Sequence, residues 1–166
     1  MKFELTQVFE TSPESFWAIF FDEAYNKALF SEGLKVIERT VLALDEQSDE
    51  IRRRVRVTPN EQIPAAVQKL IGGDMTYIED TVWKKGTNEA QVRVEIPAQR
   101  LQSKFRFGST IRTDPVANGL RRTLSGVIEV KIALMGRTIE KHVYEGIERN
   151  DAAAAAFMKD WLSNHP

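Results

Sequence analysis

The sequence predicts an α+β protein: a seven-stranded antiparallel β-sheet, a long C-terminal α-helix laid against it, and two short helices after the first strand. Three observations carry this. Between Leu34 and Ile132, apolar and polar residues alternate in six stretches broken by turn residues, which is strand periodicity. Beyond Gly136 the period lengthens to that of a helix. Ahead of the sheet, "TSPESFWAIF" places Pro13 at a first helical position behind Ser12.

The elements follow in order. "KFELTQVFE" sends Phe3, Leu5 and Phe9 one way and Lys2, Glu4 and Thr6 the other, a strand with one buried face. Phe16, Trp17, Ile19 and Phe20 form the apolar side of the first short helix. A second runs from near Asp22 to a stop at Gly33. "LKVIERTVLALD" and "DEIRRRVRVTP" are strands joined by a polar turn. "PAAVQKLIGG" is a short helix between prolines and glycines. "MTYIEDTVWKK" and "EAQVRVEIP" form a hairpin around "KGTN". "SKFRFGSTIRT" and "NGLRRTLSGVIEVKI" complete the sheet, with Leu120, Leu124, Ile128, Val130 and Ile132 on one face. Sequential strands with short turns pair antiparallel. From Ile139 an apolar stripe runs through Val143, Ile147, Ala154, Met158 and Trp161, a helix of about 27 residues or about 40 Å. Asn150-Asp151 marks a candidate kink in it. Nothing divides the chain, so a single domain over residues 1–166 is expected.

Composition narrows the function classes. The chain is 42% hydrophobic and 28% charged, with net charge −1. That balance gives nucleic acid no general electrostatic footprint, and no nucleic-acid partner is expected. There are no cysteines, hence no disulfide framework and no thiolate site. The N-terminal stretch is not a signal peptide, and no run has the roughly 18 apolar residues of a membrane span. A cytoplasmic protein is expected.

Catalytic and metal signatures do not assemble. The two histidines, His142 and His165, have no ligand spacing between them, so no metal is expected. "GxSxG" is not present, and no catalytic residue is assigned. "IGGD" and "FGST" are turn or bulge glycines rather than phosphate loops, and no cofactor is expected. Arg52, Arg54 and Arg56 face out from one strand near the acids of "DEQSDE". With Arg121 and Arg122 they form the surface that could touch an anionic membrane transiently. Arg53 alternates with them and shares the apolar face of Ile51, Val55 and Val57. A buried cation needs a partner. Glu79, which shares a face with Tyr77 and Trp83, is the candidate, and Glu38 is a weaker one. Snorkelling from a strand end is the alternative.

Two stretches carry a resemblance. "TSPESFWAIFFDEAYNKAL" resembles the opening of the START and birch-pollen-allergen (SRPBCC) superfamily, and "GVIEVKIALMGRTIEKHVYEGI" resembles its ending. The order of elements along the whole chain resembles its helix-grip fold, in which the sheet curls around the C-terminal helix. The nearest likeness is to a bacterial START-like branch of poorly described activity.

The resemblance implies curvature and a cavity between sheet and helix. Ligand-binding residues would then be Arg53, Tyr77, Glu79 and Trp83. Val92, Val94, Phe105, Phe107, Leu124 and Ile128 would add the inward strand faces, and Val143, Ile147, Ala154 and Met158 the helix stripe. An Arg53–Glu79 pair would resemble the polar anchor of some START domains. The implied function is non-enzymatic binding, transport or sensing of a hydrophobic small molecule of the lipid or sterol class. The alternatives are a cyclase, aromatase or hydrolase using Glu79, Arg53 or Tyr77, and a protein-binding module.

Overall fold

The computed structural model describes residues 1–73 and 75–166. Asp74, the last residue of "IGGD", lies outside them. Strand β1 (Lys2–Phe9) is followed by helices α1 (Pro13–Phe21) and α2 (Glu23–Ala28), the latter running into a π-helical turn, Leu29–Gly33. Strands β2 (Glu38–Glu46) and β3 (Glu50–Thr58) form a hairpin. Helix α3 (Ala65–Ile71) leads to β4 (Tyr77–Lys84), β5 (Glu89–Glu95), β6 (Phe105–Val116) and β7 (Gly119–Val130). Helix α4 spans Gly136–Asn164.

Local chemistry sets the helix boundaries. The Ser12 hydroxyl accepts a hydrogen bond from the Ser15 amide at 3.1 Å, with Pro13 at the first helical position. Asp22 turns the corner between α1 and α2. Its amide donates to the Ile19 carbonyl at 3.0 Å, and its carboxylate accepts from the Tyr25 amide at 2.7 Å. One residue thereby closes one helix and opens the next.

All seven strands pair antiparallel in the order β1-β7-β6-β5-β4-β3-β2. The register brings Arg53 opposite Thr81, Thr81 opposite Val92, Val92 opposite Ser109 and Ser109 opposite Gly126. One row of inward side chains thus crosses the sheet. At Gly126 the neighbouring backbone comes very close: a Cβ there would lie 2.6 Å from the Gly108 carbonyl oxygen and 2.7 Å from the Phe3 ring. The sheet coils on itself at this point because no side chain separates β7 from β6 and β1.

Helix α4 fills the concave side as one element, with no break at Asn150-Asp151. Asp151 lies within this unbroken span and is held by side chains of β1 and β7, as described below. Two apolar clusters flank the middle of the molecule. One gathers Phe9, Phe16, Trp17, Tyr25 and Leu29 with Ala155 and Met158 of α4. The other gathers Phe3, Val67, Leu101, Ile128 and Val130 with Ile139.

A polar-studded cavity between sheet and helix

Between the two clusters the sheet and α4 do not meet, and a cavity of about 340 Å³ remains. Strands β3 and β4 give it Arg53, Tyr77 and Glu79; β5 gives Val92 and Val94. Phe105 and Phe107 come from β6, Leu124 and Ile128 from β7. Helix α4 closes it with Val143, Ile147, Ala154 and Met158. Trp83 stands apart. It shares the parity of Tyr77 and Glu79, but α1 covers the sheet at its row. Its ring stacks on Trp17 at 5.1 Å and Phe21 at 5.8 Å, and its Nε1 donates to the Thr87 carbonyl at 3.1 Å.

Arg53 is buried, 4% exposed, and its Nη1 donates to the Phe20 carbonyl at 2.9 Å. Its guanidinium lies over the Phe20 and Phe21 rings at 5.2 and 5.1 Å. The nearest carboxylate is Glu23 at 3.9 Å, which also holds Arg39 at 3.0 Å. Glu79 is not bonded to Arg53; its carboxylate accepts from Thr81 at 3.2 Å. It still acts across the cavity. Burial pushes the Arg53 pKa down, and the charge of Glu79 pulls it back up. Among the described residues the Arg53 Nε has no hydrogen-bond partner.

A second charged group faces the cavity from the opposite wall. Arg122 is not on the outer surface with Arg121. It points inward between Leu120 and Leu124 and binds Asp151 of α4 at 2.5 Å. Gln7 of β1 donates to the other Asp151 oxygen at 3.1 Å. Three elements are thereby tied at one buried point. Burial lowers the Arg122 pKa, opposed by Asp151. Sequence reasoning missed this pair, although Arg122 has the parity of Leu120 and Leu124, and Asp151 lies four residues from both Ile147 and Ala155.

Two tyrosines also line the cavity, as do Asn26, Ser109 and His142. Burial raises the Tyr25 pKa from 10.0 to about 12, partly offset by Arg122. Tyr77 moves the same way, through burial and then the charges of Glu79 and Glu61. The unfolded chain releases the Tyr25 proton near pH 10.0, the folded chain only near pH 12. The stability this group contributes is therefore complete below the first value and lost as pH rises toward the second. Denaturation midpoints should fall across that window, and Tyr25→Phe should flatten the fall. Equal slopes in both proteins would refute the assignment.

The segment 59–64 crosses the cavity rim and fastens to α4. Asn150 donates to the Glu61 carboxylate at 3.3 Å, and Arg149 lies 3.8 Å from it. Gly146 makes room for this contact: a Cβ there would lie 2.9 Å from a Glu61 oxygen. Among the described residues no group of three His, Cys, Asp or Glu side chains is placed to hold a metal ion. Among the described residues no helix is long and apolar enough to cross a membrane.

A curved antiparallel sheet gripping one long helix, with two short helices after its first strand, defines the START-like helix-grip fold. Solved structures agree. Zhui aromatase/cyclase from Streptomyces sp. R1128 aligns over 98% of this chain and 93% of its own, with TM-score 0.64 and 12% identity. Norcoclaurine synthase from Thalictrum flavum, solved with dopamine and hydroxybenzaldehyde, aligns over 100% and 88%, with TM-score 0.67 and 14% identity. A START superfamily protein from Mycobacterium smegmatis aligns over 97% and 98%, with TM-score 0.60 and 14% identity. At these identities the likeness is one of fold. No curated protein matches the chain. The family model described as "Protein of unknown function (DUF2505)" matches residues 4–162, and the chain belongs to that family.

Proposed function

We propose that the protein binds a hydrophobic small molecule of the lipid or sterol class in the cavity between sheet and α4. It would carry or sense that molecule without transforming it, as a single cytoplasmic domain. The observation that carries this reading is the cavity: about 340 Å³, walled mainly by apolar side chains such as Val92, Phe107, Ile128 and Ile147, with charged groups including Arg53, Glu79, Arg122 and Asp151 set among them. Ligand sites have this make-up and fall in this size range.

The polar points suggest how a ligand is oriented. Arg53 lines the cavity with a cationic donor group, and Glu79 lines it with an acceptor on the next strand. A hydroxyl or amide of the ligand, which donates and accepts, would fit between them, with the apolar body against Ile128 and Val143. The enzyme reading has one supporting observation: Tyr77 and Glu79 share a wall, so a proton donor and a carboxylate face the same space. Turnover that survives replacement of both Glu79 and Arg53 would rule out acid-base work by those residues.

The test is uptake. Protein purified without detergent should carry an extractable apolar compound, visible by native mass spectrometry, or take up added fatty acid or sterol. Ala154→Leu, which fills part of the cavity, should weaken uptake roughly tenfold, about 1.4 kcal/mol. Stability should change by less than about 1 kcal/mol, since the new side chain enters empty space. Purified protein that is empty and takes up neither probe would sink the reading.

A further inference from the structure

The turn between β7 and α4 displays an apolar side chain that the fold does not use. Leu134 is 103% exposed, the highest value among the large hydrophobic side chains described. Its backbone is left-handed, with φ of 65°. Leucine reaches that conformation only with strain, and Gly or Asn would sit there more easily. Its neighbours do the structural work. Ile132 and Met135 pack against the cluster around Leu101 and Ile139. The amides of Met135 and Gly136 close the turn on the Ile132 carbonyl at 3.3 and 2.9 Å. Neither packing nor backbone preference calls for leucine at the tip.

The surroundings are basic. The Lys131 amide donates to the Lys104 carbonyl at 2.8 Å, so segments 97–104 and 131–137 lie side by side. Together they hold Lys104, Lys131 and Arg137 and no Asp or Glu, in a chain of net charge −1. The nearby Glu140 carboxylate is turned to the Val130 amide, from which it accepts at 3.0 Å, and to the N-terminal ammonium at 3.5 Å. Lys131 reaches Glu129 at 3.5 Å, and Lys141 pairs with Glu145 at 3.8 Å one turn along α4. The same corner borders the cavity, because Phe105 follows Lys104 directly and Ile128 closely precedes Lys131.

We propose that this corner docks on an anionic lipid bilayer, with Leu134 inserted at the headgroup boundary and Lys104, Lys131 and Arg137 on lipid phosphates. One protruding apolar side chain on a turn flanked by cations suits a soft, negatively charged interface. A protein partner would need a broad apolar area around the tip, which this turn does not offer. The proposal extends the carrier reading above, and it is tested without cargo so that the two can fail separately.

The experiment is vesicle flotation at low salt. Wild type should float with vesicles of phosphatidylcholine and phosphatidylglycerol, remain unbound with phosphatidylcholine alone, and be released by added salt. Leu134→Asn keeps a residue that tolerates the left-handed backbone and should melt no lower than wild type. It should lose roughly tenfold or more in partitioning. Lys131→Gln and Arg137→Gln should each lose about fivefold. Wild type that ignores the mixed vesicles overturns the proposal, as does equal flotation of all these variants. Binding to an acidic protein surface without flotation would assign the corner to a protein partner and overturn it too. None of these failures touches the uptake measurement.

Discussion

Asp151→Ala should lower the free energy of unfolding by about 3–5 kcal/mol, measured by urea denaturation. The side chains of Asp151 and Arg122 are 3% and 12% exposed, so the pair is held in a dry setting. Removing the carboxylate leaves a buried guanidinium whose Nε already has no partner among the described residues. It also frees the Gln7 amide. The cost is that of an uncompensated charge rather than of one lost contact, so the paired change behaves differently. Replacing both partners with apolar residues, Arg122→Met with Asp151→Leu, should recover most of the loss. A double variant no more stable than Asp151→Ala would show that the ion pair, not the uncompensated charge, sets the effect. A single variant within about 1 kcal/mol of wild type would show that the site is solvated.

Gly126→Ala should cost about 1–3 kcal/mol, and the loss comes from backbone rather than from side-chain packing. A methyl group there would lie 2.6 Å from the Gly108 carbonyl oxygen and 2.7 Å from the Phe3 ring. The ring can yield a little; the carbonyl is held in the β6–β7 ladder. The strands must separate, and the bend that makes room for the cavity must open. Gly108→Ala on the facing strand is the control. Its Cβ would meet only the Val92 carbonyl, at an ordinary 3.7 Å, so it should stay within about 1 kcal/mol of wild type. Equal losses at the two positions would mean that strand propensity, not close approach, is responsible.

Arg53 and Arg122 show what alternation reveals and what it hides. Strand periodicity places Arg53 beside Ile51, Val55 and Val57, and the side chain is indeed buried with them. The rule applied to Leu120 and Leu124 carries Arg122 inward as well. Grouping it with Arg121 as one basic patch obscures this, because adjacent strand residues face opposite ways. In α4 a stripe traced through apolar residues alone steps over Asp151, although the helical spacing from Ile147 to Ala155 runs through it. Charged residues at inward positions are thus legible only when periodicity is followed without regard to polarity.

Other features have no periodic signature. Trp83 has the inward parity of its neighbours, but α1 occupies that side of the sheet and takes its ring into the cluster of Trp17 and Phe21. Which part of an inward face meets a helix, and which part meets empty space, depends on sheet curvature. That curvature in turn rests on single close approaches such as Gly126. A glycine inside a strand signals such an approach without saying what comes near. The Arg53 partners illustrate the same limit: Phe20 and Glu23 are more than 25 residues away in sequence and arrive through the turn at Asp22.

The sheet order has a consequence for how the chain assembles. Lys2 pairs with Val127 and Phe9 with Leu120, so the first strand made is among the last to find its partner. The β2–β3 and β4–β5 hairpins can close locally, but β1 waits for nearly the whole chain. Joining such distant segments carries a large loop-closure entropy, and domains rich in such pairings fold over about milliseconds to seconds. During synthesis, Phe3, Leu5 and Phe9 remain without their strand neighbour until β7 is complete. The apolar face of β1 is therefore the surface that a nascent chain most needs to keep from premature association.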